Sequence, residues 1–352
     1  MDNLLHILLF LSPSIIYYTA KKPIKTNYKL RKDFKLKGVN TSVLPTEVIR
    51  KVNDIDEKKI LEQQFAPSII EFINKIKQSI SSSDLTLFYN NINNIKTSVK
   101  NFKISNLILS ERIGAQWTPL KNTIELSPSN YKATINHELF HVSTTYIDTN
   151  SNVIFCGFHQ FQIKNGNKRI GEGLNEGYTQ YLTDKYFPSE PLLIAYPYEK
   201  RIAAIVELIV GQEKMQSLYF NANLKGLIDA LKQYSTEENV YNFITTLDFL
   251  NKHLTDKKLT PNSNKIRLNS LKSISSFLIQ TYINKLILEK TNKTIDTKEI
   301  FDKLVPLLIL LPRDIAIHKK TVTVIDDDLM MEIIKDALFN YKVSDDKKTI
   351  SK

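Results

Sequence analysis

The chain has 352 residues, 42% hydrophobic and 24% charged, a balance that suits a globular protein with a sizeable core and excludes a disordered or fibrous one. Its net charge of +11 is local: residues 21–37 carry eight Lys/Arg and one Asp, a net +7, and the rest of the chain only +4, so a basic nucleic-acid-binding domain is not expected. The one cysteine, Cys156, excludes an internal disulfide and a cysteine-rich zinc knuckle, and reads as a small buried apolar side chain.

Residues 1–40 form an apolar, then basic, N-terminal segment. Leu4 to Leu11 is apolar apart from His6, and Ile15 to Tyr18 extends it past Ser12-Pro13-Ser14. A secretory signal needs a basic start and a small-residue cleavage site, whereas here Asp2 is acidic and Tyr18-Thr19-Ala20 is a poor match. The run is short and broken for a spanning helix, and the lysines that follow favour retention inside a cell. A docked or interfacial apolar segment is expected; a cytoplasmic location is favoured, and the basic run reads as solvated, with contact to a membrane surface through residues 1–37 as the alternative.

Residues 41–103 read as a helical lead-in. Ile69, Ile70, Ile73, Ile76 and Ile80 make a helical stripe after Pro67. Ser81-Ser82-Ser83-Asp84 marks a break and a cap, and Leu85 to Val99 suggests a further helix.

The character changes over residues 104–197. Leu107-Ile108-Leu109 and Thr123-Ile124-Glu125-Leu126 look like short strands around a loop at Gly114 to Pro119. Next comes Thr134-Ile135-Asn136-His137-Glu138-Leu139-Phe140-His141. Two histidines four apart share one helical face, one turn from each other, where they can hold a single metal ion, and Glu138 flanks that face as a candidate general base. Ile135, Leu139, Val142 and Tyr146 continue the helical spacing as the buried stripe. Val153 to Ile170 alternates like strands, with Asn165-Gly166 as a hairpin turn, and places His159 close to the site. Gly171-Glu172-Gly173 then opens a second helix, closed by Pro188, with Glu176, Thr179, Gln180 and Thr183 on one face. A catalytic zinc takes three protein ligands and keeps a position for water, so Glu176 is the expected third ligand to one Zn²⁺ per chain.

Here the chain resembles the gluzincin zinc peptidases, the group of thermolysin and aminopeptidase N. The likeness rests on His137-Glu138-Leu139-Phe140-His141 followed by Asn175-Glu176-Gly177-Tyr178, and covers residues 105–187. It implies a peptidase core over residues 104–197, zinc on His137, His141 and Glu176, and Glu138 as the base that activates water. It also implies that the strand before the histidine helix, Asn122 to Ser127, pairs with an extended substrate. Three features depart from the family: a longer gap from His141 to Glu176, Gln180 where thermolysin relatives often carry Asp, and no Gly-x-Met-Glu-Asn strand.

From Pro197 onward only helices are expected, making residues 198–352 an all-α region. Its segments are Glu199 to Val210, Val240 to Leu254 behind Ser235-Thr236-Glu237-Glu238, Ile266 to Leu288, Thr297 to Leu311, and Asp327 to Tyr341. The fold class is thus α+β and predominantly helical, a zinc-peptidase-like domain with a small sheet followed by helices. The expected function is zinc-dependent hydrolysis of a peptide or protein substrate, with a non-catalytic zinc scaffold as the alternative. Tyr178, Tyr196, Tyr198 and His159 remain open as donors to the transition state, Gln180 is the expected partner of a zinc-bound histidine, and Asp184 one turn further is read as solvated.

Overall fold

Isoleucines and a phenylalanine at helical spacing begin the described chain: Ile69, Phe72, Ile73 and Ile76 are all buried on α1 (Pro67–Ile76). The structure is a computed structural model that describes residues 67–92, 96–98, 115–126, 131–163, 169–188, 196–254, 261–289, 297–308, 332–336 and 339. All of them fall within one compact unit, Val39–Lys352. The N-terminal apolar and basic segment, the strand expected at residues 107–109 and the Asn165-Gly166 turn lie outside the described residues.

A 3-10 turn over Ser82–Leu85, capped by the Ser81 hydroxyl, leads into α2 (Thr86–Ile92). The helix expected to run to Val99 stops there, because Lys96–Ser98 forms β1 and pairs in parallel with β3 (Thr123–Leu126). Ala115–Thr118, expected as a loop, is β2 and pairs antiparallel with β3, with Trp117 opposite Ile124. The strand order β1-β3-β2 puts β3 in the centre. Both its edges are therefore taken, and it has no free ladder for the substrate-pairing role expected of Asn122 to Ser127. The edge strands of the described sheet are β1 and β2, and β2 packs on α3 (Tyr131–Ser143), the helix of both histidines.

Tyr146 is not on that helix. α3 ends at Ser143, and β4 (Thr145–Asp148) starts two residues on, with Tyr146 paired to Phe155 of β5 (Val153–Cys156). Asn91 fixes the changeover from α2: its amide donates to the carbonyls of Val142 at 2.8 Å and Thr145 at 2.7 Å. The expected continuous strand from Val153 is broken at Gly157, whose φ of +55° makes the turn into β6 (His159–Gln162). β6 pairs antiparallel with β7 (Arg169–Ile170), with Gln160 opposite Ile170. The four strands β4-β5-β6-β7 fill the long gap between His141 and Glu176.

α4 (Glu172–Tyr186) carries Glu176 and is clasped from two sides. The helices after it are α5 (Pro197–Val210), α6 (Gln212–Phe220), α7 (Leu224–Lys232), α8 (Glu237–Leu254), α9 (Pro261–Glu289) and α10 (Thr297–Leu308), so beyond Tyr196 every described element is helical. The fold is α+β and predominantly helical, with two small sheets. Among the described residues, no helix is long and apolar enough to cross a membrane.

On one side of α4, Asp248 of α8 accepts the backbone N–H groups of Gly171 at 2.8 Å and Gly173 at 2.9 Å. It supplies the helix start with the partners its first turn lacks. On the other side α5 lies so close that a Cβ on Gly177 would sit 2.3 Å from the Glu199 carbonyl oxygen. That contact is with backbone and cannot swing away. Gly177→Ala should therefore cost about 1–3 kcal/mol in urea unfolding, as overpacked cores do; an unchanged midpoint would show that α4 and α5 can separate freely.

Candidate metal centre

Helical spacing places His137 and His141 side by side on α3, and the packing of α4 against it brings Glu176 to them. The two Nε2 atoms are 3.1 Å apart, and Glu176 Oε2 lies 3.2 Å from His137 Nε2 and 3.4 Å from His141 Nε2. Among the described residues these three form the one group of His, Cys, Asp and Glu side chains able to hold a metal ion. The near-equilateral triangle has the right size for that task. With ligand bonds of about 2.0–2.1 Å, adjacent donors on a tetrahedral ion lie about 3.3 Å apart.

Electrostatics describes the same demand. Burial alone pulls the His141 pKa down, yet the Glu176 carboxylate and the Cys156 sulfur hold it well above the usual imidazole range. Burial alone would raise Glu176, but His141 and His137 hold it well below the usual carboxylate range. Two imidazole lone pairs and a carboxylate facing one point call for a cation among them, whether a proton or a metal ion.

The second nitrogen of each histidine is also engaged. His137 Nδ1 is 3.1 Å from Gln180 Oε1 on α4, one turn beyond Glu176. His141 Nδ1 is 3.4 Å from Asn175 Nδ2 and 3.7 Å from Cys156 Sγ. Asn175 is pinned by the backbone N–H of Phe158, which donates to its Oδ1 at 3.1 Å. Cys156 is buried, as its composition suggests, but lies against a member of the triad. The backbone carbonyl of His141 is fixed too: Thr145 Oγ1 donates to it at 2.7 Å and accepts from Trp117 Nε1 at 3.0 Å.

Glu138 is buried beside the triad. Burial raises its pKa, the two histidines lower it, and it accepts a hydrogen bond from the Trp117 backbone on β2. Tyr196 is the N-terminal cap residue of α5, in left-handed conformation at φ 54° directly before Pro197. Such a backbone costs a non-glycine residue about 1 kcal/mol or more and is held only where its surroundings fix it. Its ring lies parallel to that of His137, centroids 5.8 Å apart, and its hydroxyl bonds Glu176. The Glu176 charge, then burial, keep that phenol protonated well beyond its usual range, so it stands as a donor.

The other sequence candidates are placed differently. The Tyr178 hydroxyl donates to Glu207 of α5, and Tyr198 is buried on α5. His159 on β6 has a pKa lowered to about 3 by burial, so it is neutral, and its Nε2 is buried without a hydrogen-bond partner. Asp184, expected to be solvated, is half-exposed but accepts from Gln180 Nε2 at 2.7 Å and from Lys200 Nζ at 2.6 Å. Trp117, Asn175, Cys156 and Lys200 carry no sequence signal that ties them to the triad, except that Asn175 immediately precedes Glu176. The chain finds no match among protein-family models, curated proteins or solved structures.

Glu199 is a further buried carboxylate near the site, with Oε2 unpartnered and its pKa pushed up to about 7, first by burial and then, against its own backbone N–H, by Glu176. The folded chain holds that proton up to about pH 7, whereas the unfolded chain releases it near 4.5. The stability it contributes is present below 4.5 and is lost as pH rises to 7. Glu199→Gln carries no such loss. Its stability relative to wild type should rise between pH 5 and 8, by about 3 kcal/mol at most, which thermal melts across that range measure. A gap that stays flat with pH would show that Glu199 ionises freely.

Proposed function

We propose that the chain is a zinc-dependent peptidase of gluzincin type, acting on peptide or protein substrates. The observation that carries this reading is the triangle of His137 Nε2, His141 Nε2 and Glu176 Oε2 with buried Glu138 beside it. Two imidazoles and one carboxylate suit zinc better than the hard cations, which prefer oxygen donors throughout. Three protein ligands also leave a position free for reactants. Zinc bound there would polarise the scissile carbonyl and lower the pKa of water toward about 7.

The chain's own groups supply the rest. Glu138 takes the proton of the attacking water and hands it to the leaving amine, and burial tunes its basicity toward that exchange. The Trp117 N–H holds the carboxylate in place. Tyr196, protonated and at the rim of the triad, donates to the oxygen on which negative charge develops. The outer edge of β2, next to α3, is the backbone along which an extended peptide would lie.

Glu138→Gln should bind zinc as tightly as wild type and lose turnover in peptide-library cleavage. Tyr196→Phe should keep zinc and lower kcat by about 10²-fold, the loss expected for one oxyanion donor. Cleavage by Glu138→Gln at the wild-type rate overturns the mechanism. One zinc per chain with no hydrolysis of any substrate would make the fold a non-catalytic zinc scaffold instead.

A further inference from the structure

A histidine that ligates a metal through Nε2 carries its proton on Nδ1, and an acceptor placed there fixes that tautomer. For His137 that acceptor is Gln180 Oε1, at 3.1 Å. A glutamine is an ambiguous partner for this purpose. Its amide has nearly the same shape when turned over, and in the turned state its NH₂ group would meet Nδ1 as a donor. Nδ1 would then have to be the lone-pair nitrogen, and the proton would move to Nε2, the atom that faces the triad. A carboxylate at this position would have no such second state.

Something must therefore fix which end of the Gln180 amide faces His137. Asp184, one turn along α4, meets the other end: Gln180 Nε2 donates to Asp184 Oδ1 at 2.7 Å. An ionised carboxylate only accepts, so turning the amide would set Oε1 against Oδ1 with no proton between them. Lys200 on α5 holds the second oxygen, Oδ2, at 2.6 Å, and its side chain is 13% exposed. The carboxylate is thus anchored from the neighbouring helix and presents one oxygen to the amide.

We propose that Asp184, anchored by Lys200, is a positioning residue for the metal ligand His137: it locks the Gln180 amide with its oxygen toward Nδ1 and so keeps Nε2 free for the metal. The chain of contacts runs from the triad through Gln180 and half-exposed Asp184 to Lys200 of α5. It performs with an amide and a remote charge what a directly bonded carboxylate would do alone, and leaves no additional negative charge against the histidine. The inference rests on the reading of His137, His141 and Glu176 as a metal site.

The test uses the full chain, stripped of metal with a chelator. Zinc affinity is read by competition with a chromophoric chelator, and the His137 tautomer of the metal-free chain by ¹⁵N NMR. Wild type should hold its proton on Nδ1. Asp184→Ala should weaken zinc by about threefold or more, a smaller loss than the tenfold or more expected for Gln180→Ala, and give a mixture of tautomers. The double variant Gln180→Glu/Asp184→Ala, in which either oxygen of the new side chain accepts, should restore the single Nδ1–H tautomer. Asp184 is half-exposed, so the alanine leaves no buried cavity; should it nonetheless impair folding, Asp184→Asn, equal in size but able to donate as well as accept, should show the same mixing. Unchanged affinity and tautomer in Asp184→Ala, or no return of the tautomer in the double variant, overturns the proposal. A wild-type chain that takes up no zinc at one per chain would instead overturn the metal reading itself.

Discussion

Three donor atoms, two imidazole nitrogens and a carboxylate oxygen, converge to within 3.1–3.4 Å of one another in a largely buried setting. Such a cluster is unfavourable without a cation, because each lone pair repels the others and water is largely excluded. The surrounding structure serves to bring these groups together and hold them there. Its cost is recovered only when a positive charge occupies their centre, and this couples cation binding at the triad to the packing of α3 on α4.

That packing is built from several unlike devices. The C-terminus of α3 is tied down by Asn91 and by the Trp117–Thr145–His141 hydrogen bonds, which fix the histidines along the helix axis. The start of α4 is held by Asp248 from α8, and its middle is pressed to α5 through Gly177. Phe140, on the flank of α3 next to the histidine face, packs edge-on against Phe72, ring centroids 4.9 Å apart, and ties that flank into the aromatic core. The helices after residue 197 belong to this support. α5 supplies Tyr196 at its cap, Lys200 to the Asp184 relay and Glu207 to the hydroxyls of Tyr178 and Tyr181.

The metal triad was legible in the sequence because helical geometry is local. A spacing of four residues puts His137 beside His141 in any α-helix, and Asn175-Glu176-Gly177-Tyr178 marks a second helix whose start the glycines announce. The strands were harder to read. β2 and β4 have four residues each, too few for alternation to show, and Tyr146 sits where the helical stripe of α3 would have continued. It leaves the helix because Asn91, distant in sequence, claims the carbonyls at the junction. The turn at Gly157 was likewise hidden inside an alternating run. Asp184 and Lys200 are surface-type residues whose role depends on which amide they meet, and Tyr196 stood level with Tyr178 and Tyr198 until the left-handed cap before Pro197 set its direction. Contacts between helices are not periodic, and no spacing rule exposes them.

The central claim is that His137, His141 and Glu176 together hold one zinc ion. X-ray absorption of the zinc-loaded chain tests it most directly. Zinc held by these three side chains requires two imidazole nitrogens and oxygen at about 2.0–2.1 Å with no sulfur near 2.3 Å, since Cys156 lies against Nδ1 of His141, on the side of the ring away from the triad. The same spectrum in His141→Ala should show stoichiometric zinc lost. A sulfur shell, or a full complement of zinc retained by His141→Ala, would contradict it.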